Sequence, residues 1–210
     1  MAVTCEIVDY KSMMKDIENR KQAPKKAMQN LMSDAKKRAP GWIAQEVAKE
    51  YGVRKGEVNS GALGSMKVKG DGMESLEIIY KGRVLTPTHF GMTPKAPGKN
   101  AYTIKASILK GQKKALGGSV KRLTKKQRKA IGKNFRRQGT RDSSRSPVML
   151  MRTGGTYIPV QRMSQDRKDI KAIKTLSLPQ MVTGKASEGI TNAINEGLEK
   201  RLEHHLNRYL

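Results

Sequence analysis

A chain of 210 residues has room for one ordinary domain, or one domain carrying a long insertion, and 1–210 reads as a single domain. Aromatics are only 4% of it, so the core must come from Ile, Leu, Val, Ala and the 12 Met, and a core this thin gains from burying more surface against copies or partners. Lys and Arg number 43 against 18 Asp and Glu, a net +25 that attracts polyanions such as DNA, RNA or acidic proteins, while the single cysteine, Cys5, excludes an internal disulfide.

Val3, Cys5 and Ile7 alternate at period two, which predicts a short strand or extended arm. Acids with no base before the first apolar run are the wrong order for a signal peptide, and no apolar run nears the roughly 20 residues of a membrane helix. Synthesis in the cytosol, with no membrane contact, is therefore expected. Met13, Met14 and Ile17 predict a first short helix. Pro24 opens a second, carried by Ala27, Met28, Leu31, Met32, Ala35 and Ala39 and broken by Pro40 and Gly41. Ile43, Val47 and Tyr51 predict a third, closed by Gly52. The Met28 and Met32 stripe reads as core filling, since methionine fills irregular gaps.

The period then falls to two. Met66 and Val68, a Gly-Asp-Gly turn at 70–72, and Leu76, Ile78 and Tyr80 predict a β-hairpin. Tyr102, Ile104, Ala106 and Ile108 predict another strand over 101–109. A second hairpin follows, with Thr153-Gly154-Gly155-Thr156 as its turn and positive φ expected at both glycines. Ser177 is placed to cap a long C-terminal helix, and Pro179 falls near its first turn. Its stripe runs through Val182, Ala186, Ile190, Ala193, Ile194, Leu198, Leu202 and Leu206 to Tyr209, and Ile190, Ile194, Leu198, Leu202 and Leu206 are the predicted core or oligomer contacts. Gly184, Gly189 and Gly197 weaken that helix, so packing must hold it. The fold class is α+β: N-terminal helices and a long C-terminal helix on a small, mainly antiparallel sheet, with a basic inserted loop.

That loop is 110–147, with 14 bases against one acid, so it carries +13 and the rest of the chain +12. Leu123, Ile131 and Phe135 are its only packing candidates, on a short helix begun at Thr124. The candidate contacts for DNA or a protein partner are Lys113, Lys114, Lys121, Arg122, Lys125, Lys126, Arg128, Lys129, Arg136, Arg137 and Arg141. A charge run is as readily a solvated surface, and the shortage of aromatics argues for phosphate contact over base stacking.

Catalytic chemistry finds no motif. Gly91 and Gly98 are seven apart and Lys99 precedes Asn100, which fails the spacing of a phosphate-binding loop. His89 is remote from His204 and His205, and neighbours on a helix point about 100° apart, so no metal site is expected. The two adjacent histidines are read as flanking the apolar stripe, near a helix C-terminus that favours positive charge. Glu46, Glu50, Glu57, Asp71, Glu74 and Glu77 are scattered, unlike the clustered carboxylates of a nuclease. The expectation is a protein with no catalytic residues and no cofactor.

The order QEVAKEYGVRKGEVNSG, SMKVKGDGMESLEIIYKG, RVLTPTHFG, GGTYIPVQR and TLSLPQMV before a C-terminal helix resembles the minor tail protein Z family of long-tailed phages and prophages, with related tail-completion proteins. The resemblance spans about 24–210 apart from the basic insert. It implies a virion protein at the head-proximal end of the tail, which completes the tail and joins it to the head. It also implies a homo-oligomer, commonly a sixfold ring, with tail and head–tail connector proteins as partners. The basic loop would face packaged DNA or an acidic connector protein, and the sequence leaves both open. The competing reading is a sequence-nonspecific nucleic-acid-binding module, ribosome- or nucleoid-associated.

Overall fold

The computed structural model describes residues 2–6, 24–71, 75–98, 101–118, 120, 148–162 and 169–209. Ile7, the helix predicted around Met13, and the packing expected of Leu123, Ile131 and Phe135 lie outside them. The fold is α+β with a long C-terminal helix. Its strands form three small antiparallel sheets where one was expected. The contacts of the chain divide it into two compact units, Met1–Val84 with Leu176–Leu210, and Leu85–Thr175.

The first unit holds β1 (Ala2–Glu6), α1 (Pro24–Glu50), α2 (Lys55–Asn59), β2 (Ser65–Asp71), β3 (Ser75–Lys81), α3 (Leu178–Thr183) and α4 (Ser187–Tyr209). Strand β3 is central in the order β1-β3-β2. The predicted alternation sets the register: Val3 and Met66 both oppose Tyr80, and Cys5 and Val68 both oppose Ile78. Leu76, Ile78 and Tyr80 are buried, so this is the core face. Gly64 leads into β2, where a Cβ would run into the Lys81 carbonyl oxygen and lie 3.0 Å from Gly82 Cα. Only glycine fits that crossing.

Two helical expectations change. Pro40 does not end a helix, because α1 runs through it from Pro24 to Glu50. Leu31, Ala35, Ala39, Ile43 and Val47 recur in fours across the proline, and all five are buried. An interior proline costs about 3 kcal/mol, while burial of each large aliphatic side chain contributes about 1.5–3 kcal/mol, so one uninterrupted stripe outweighs the break. The Pro40 carbonyl is also satisfied from the side by Asn59 Nδ2 at 2.8 Å.

The C-terminal segment opens on the predicted cap, with Gln180 N donating to Ser177 Oγ (3.4 Å) and Ser177 N donating to Gln180 Oε1 (2.9 Å). It is two helices rather than one. At Gly184 a Cβ would come within 2.7 Å of both the Gln180 carbonyl oxygen and Tyr51 Oη. The chain turns there under Tyr51, whose hydroxyl accepts from Lys185 N at 3.1 Å.

The second unit holds a 3₁₀ turn (Pro87–His89), β4 (Lys105–Ala106), β5 (Lys114–Ala115), β6 (Val148–Thr153), β7 (Thr156–Arg162) and β8 (Ile170–Ala172). Strands β4 and β5 pair alone, and the order of the other sheet is β6-β7-β8. The strand predicted over 101–109 shrinks to Lys105–Ala106, flanked by single bridges from Tyr102 to Val120 and from Lys105 to Thr93. Pro94, Pro97 and Gly98 deny it a regular neighbour. The burial pattern still holds at Ile104 and Ala106, each 1% exposed. The second hairpin forms as predicted, with Thr153 opposite Thr156, although only Gly154 takes positive φ (+60°). Met92, Ile104 and Val148 form the core of the unit, with Tyr102, Leu116, Leu150 and Ile173 packed on it. Its ends meet: Thr175 N donates to the Leu85 carbonyl at 2.7 Å and Thr175 Oγ1 to the same oxygen at 3.0 Å.

Candidate functional site

Two features of the described residues concentrate chemistry, one in each unit. In the first unit α1 packs along α4. Of the predicted contacts, Ile190, Ile194 and Leu198 are buried at 1%, 4% and 4% exposure, whereas Leu202 and Leu206 are only half-buried. Residues four apart drift about 40° around a helix of 3.6 residues per turn, so a row in fours cannot face one partner for long. The seam steps sideways after Leu198 and continues through Arg201 to His205.

His205 therefore lies inside the seam, 7% exposed, where sequence reasoning had it flanking the stripe. Its Nε2 is 3.2 Å from Asp34 Oδ2 on α1, and since a carboxylate only accepts, Nε2 is the donor. The same oxygen lies 3.7 Å from Arg201 Nη1 and 4.0 Å from Arg38 Nε. One carboxylate thus ties α4 to α1 through three cationic or proton-bearing groups. His205 Nδ1 is buried with no partner among the described residues. His204 is exposed, its ring edge-on to His205 at 5.3 Å between centroids.

Beside this cluster the glycines that looked like weak points have a use. A Cβ on Gly197 would lie 2.6–2.7 Å from the Trp42 ring, and one on Gly189 would lie 3.0 Å from Glu46 Oε2. Gly189, Ala193 and Gly197 make a flat strip one helical turn apart, and α1 lays Trp42 and Glu46 on it. A groove of about 560 Å³ runs along the contact, floored by Trp42, Ala193 and Gly197 and rimmed by charged side chains. Its rim is largely self-neutralised: Lys49 Nζ pairs with Glu46 Oε1 at 2.5 Å and Lys200 Nζ with Glu196 Oε2 at 3.8 Å. Nothing in it pairs a nucleophile with a base. It is a fitted helix seam.

The second unit has the opposite character. Leu85–Thr175 contains 23 of the 43 bases and 3 of the 18 acids, a net +20, which leaves 20 bases against 15 acids, or +5, for the rest of the chain. Its described bases are exposed wherever their burial is defined, and Asp169 is the only described acid. Every ion pair among the described residues lies in the first unit. Of the predicted basic contacts, Lys113 and Lys114 are exposed on the turn and strand of the β4–β5 hairpin. Lys121, Arg122, Lys125, Lys126, Arg128, Lys129, Arg136, Arg137 and Arg141 lie outside the described residues. The flanks of that stretch are paired: Tyr102 N donates to the Val120 carbonyl at 3.0 Å, and Val148 N to the Gly118 carbonyl at 3.3 Å.

Among the described residues no three His, Cys, Asp or Glu side chains converge as metal ligands, and no helix is long and apolar enough to cross a membrane. Sequence reasoning missed the Asp34–His205 pair, for which spacing within one helix carries no signal. It also missed the scale of the charge division, which appears only when bases are counted within the boundaries of the compact units. No family profile, no curated protein and no solved structure matches the chain.

Proposed function

We propose that the chain is a structural protein of a long-tailed phage virion, acting at the head-proximal end of the tail to complete it and join it to the head as a ring. The observation that carries this reading is the order of packing signatures in the sequence, each of which falls on a well-defined local structure. The Ile43–Tyr51 periodicity lies on the second half of α1 and its end. SMKVKGDGMESLEIIYKG holds the β2–β3 pair, although Gly70 and Asp71, expected in its turn, pair within the strands with Leu76 and Ser75. The LTPTHFG segment contains the 3₁₀ turn, GGTYIPVQR is β7 with its turn, and TLSLPQMV is the capped start of α3.

The α1–α4 seam supports assembly. Leu202 and Leu206, left half-buried at its far end, give a neighbouring subunit apolar surface to cover. The work is mechanical, done by packing and electrostatics without a catalytic residue or cofactor, and its partners are further copies, tail proteins and head–tail connector proteins.

The test is deletion of the gene from the phage or prophage that encodes it. Heads and tail tubes should still accumulate and joined infectious particles should be lost, with recovery on complementation. Normal yields of infectious virions from the deletion would overturn the assignment.

A further inference from the structure

The charge of this molecule is divided along its structural boundary. A sequence window isolates 110–147, but the second unit keeps nine bases against two acids when that stretch is set aside, and the folded hairpin at its edge adds Lys110, Lys113 and Lys114 from within it. Lys95, Lys105, Lys110, Lys113 and Lys114 come from the β4–β5 hairpin and the strand segment beside it, and all five are exposed. Thr93 and Lys105 exchange both backbone hydrogen bonds at 2.8 Å, and Lys105 also lies opposite Ala115. That pairing puts Lys105 on the same face as Thr93 and Ala115, while Lys114, opposite Ala106, lies on the other face of the two-stranded ribbon, with the connecting turn between them. Lys110 and Lys113 occupy the connecting turn, closed by Gln112 N donating to the Leu109 carbonyl at 3.1 Å. Like charges gathered this way repel each other, and the described residues of this unit offer them no ion pair. In the first unit the cations are interleaved with acids and several are paired. A surface that leaves its own charge uncompensated gains most from an external polyanion, through release of condensed counterions.

We infer that the exposed lysines of the folded β4–β5 hairpin and its turn are a contact site for the phosphate backbone of a nucleic-acid duplex. The chemistry favours a duplex over a single strand. The aromatic side chains of the described part are Phe90, which is fully buried, and Tyr102 and Tyr157, which are half-buried, so no open ring is offered for bases to stack on. Flexible lysine side chains on a ribbon meet phosphates as point charges, so the contact is blind to sequence. The inference stands apart from the tail assignment, since a site of this kind binds a duplex in any setting.

The experiment uses the full chain and a fluorescent 25-base-pair DNA duplex, with affinity measured from low to moderate salt. Replacing Lys105, Lys110, Lys113 and Lys114 with Gln should lower the slope of log K against log salt by about two to three units, at about 0.9 per phosphate contacted, because one face presents one strand lysine with the two of the turn. Replacing Lys26, Lys37, Lys67 and Lys81 of the first unit, four exposed lysines with the same total charge, should lower it by less than about one unit. Changing the four hairpin lysines to Arg should keep the parent slope, and thermal melting of each variant checks that the fold survives. Equal losses from the two sets would show diffuse charge attraction and overturn the inference, as would an unchanged slope in the hairpin variant. Binding of polyglutamate as tight as that of the duplex would also overturn it, by making the unit a site for acidic proteins.

Discussion

The two units solve the problem of a thin core in different ways. The first invests in fit: α1 and α4 interlock through a glycine and alanine strip, and a single carboxylate, Asp34, gathers Arg38, Arg201 and His205. The second has a small core around Met92, Ile104 and Val148, short strands, and a surface of nearly one sign. A unit with matched charges repels itself little, while one with unmatched charges carries a self-repulsion that salt or an external polyanion relieves.

The strongest way to break the comparison is to damage the seam. Leu198→Asp places a carboxylate at a site 4% exposed and should cost about 3–5 kcal/mol, read as a lowered urea midpoint in the emission of Trp42, the only tryptophan. An unchanged midpoint would mean that the seam opens to water. The matching cut in the second unit is Ile104→Ala, expected to cost about 3 kcal/mol. Because that core lies wholly within 85–175, amide exchange should accelerate there and change much less in α1. Uniform acceleration across both units would show one cooperative block.

A finer probe is Gly184→Ala. Its Cβ would sit 2.7 Å from the Gln180 carbonyl oxygen, a backbone atom with little freedom to move, so a loss of about 2 kcal/mol is expected. Gly197→Ala meets only the tip of the Trp42 ring and should cost less, with a shift in Trp42 emission. The smallest effect is electrostatic. Raising salt from about 0.05 to 0.5 M should slow amide exchange in the second unit by the equivalent of about 0.5 kcal/mol, by screening its self-repulsion, and leave the first unit nearly unchanged.

Much of this architecture is legible in the residues, and the misses have physical causes. Period-two runs place both hairpins and, through Tyr80 and Ile78, their core face. Ser177 announces its capping box at four residues' range. Pro40 misleads because local propensity disfavours it, while the stripe in fours from Leu31 to Val47, visible in the same letters, is the stronger term. Gly184, Gly189 and Gly197 read as defects because their reason is a side chain more than a hundred residues away in sequence. Of the candidate site residues, the burial of Ile190, Ile194 and Leu198 follows from periodicity, and the inward turn at His205 from the drift that periodicity ignores.

The hydrogen bonds between Thr175 and Leu85 also bear on the order in which the protein takes shape. Helix α1 must wait for α4, roughly 136 residues later, but every residue of the second unit leaves the ribosome before α4 does. Once that unit folds, its two ends are held side by side, and the chain separating α1 from α4 behaves as though only roughly 45 residues long. By the logarithmic dependence of loop closure on length, this lowers the entropy opposing the α1–α4 encounter by about 1 kcal/mol. A basic unit that folded before α4 was made would thus shorten the search of the two helices for each other.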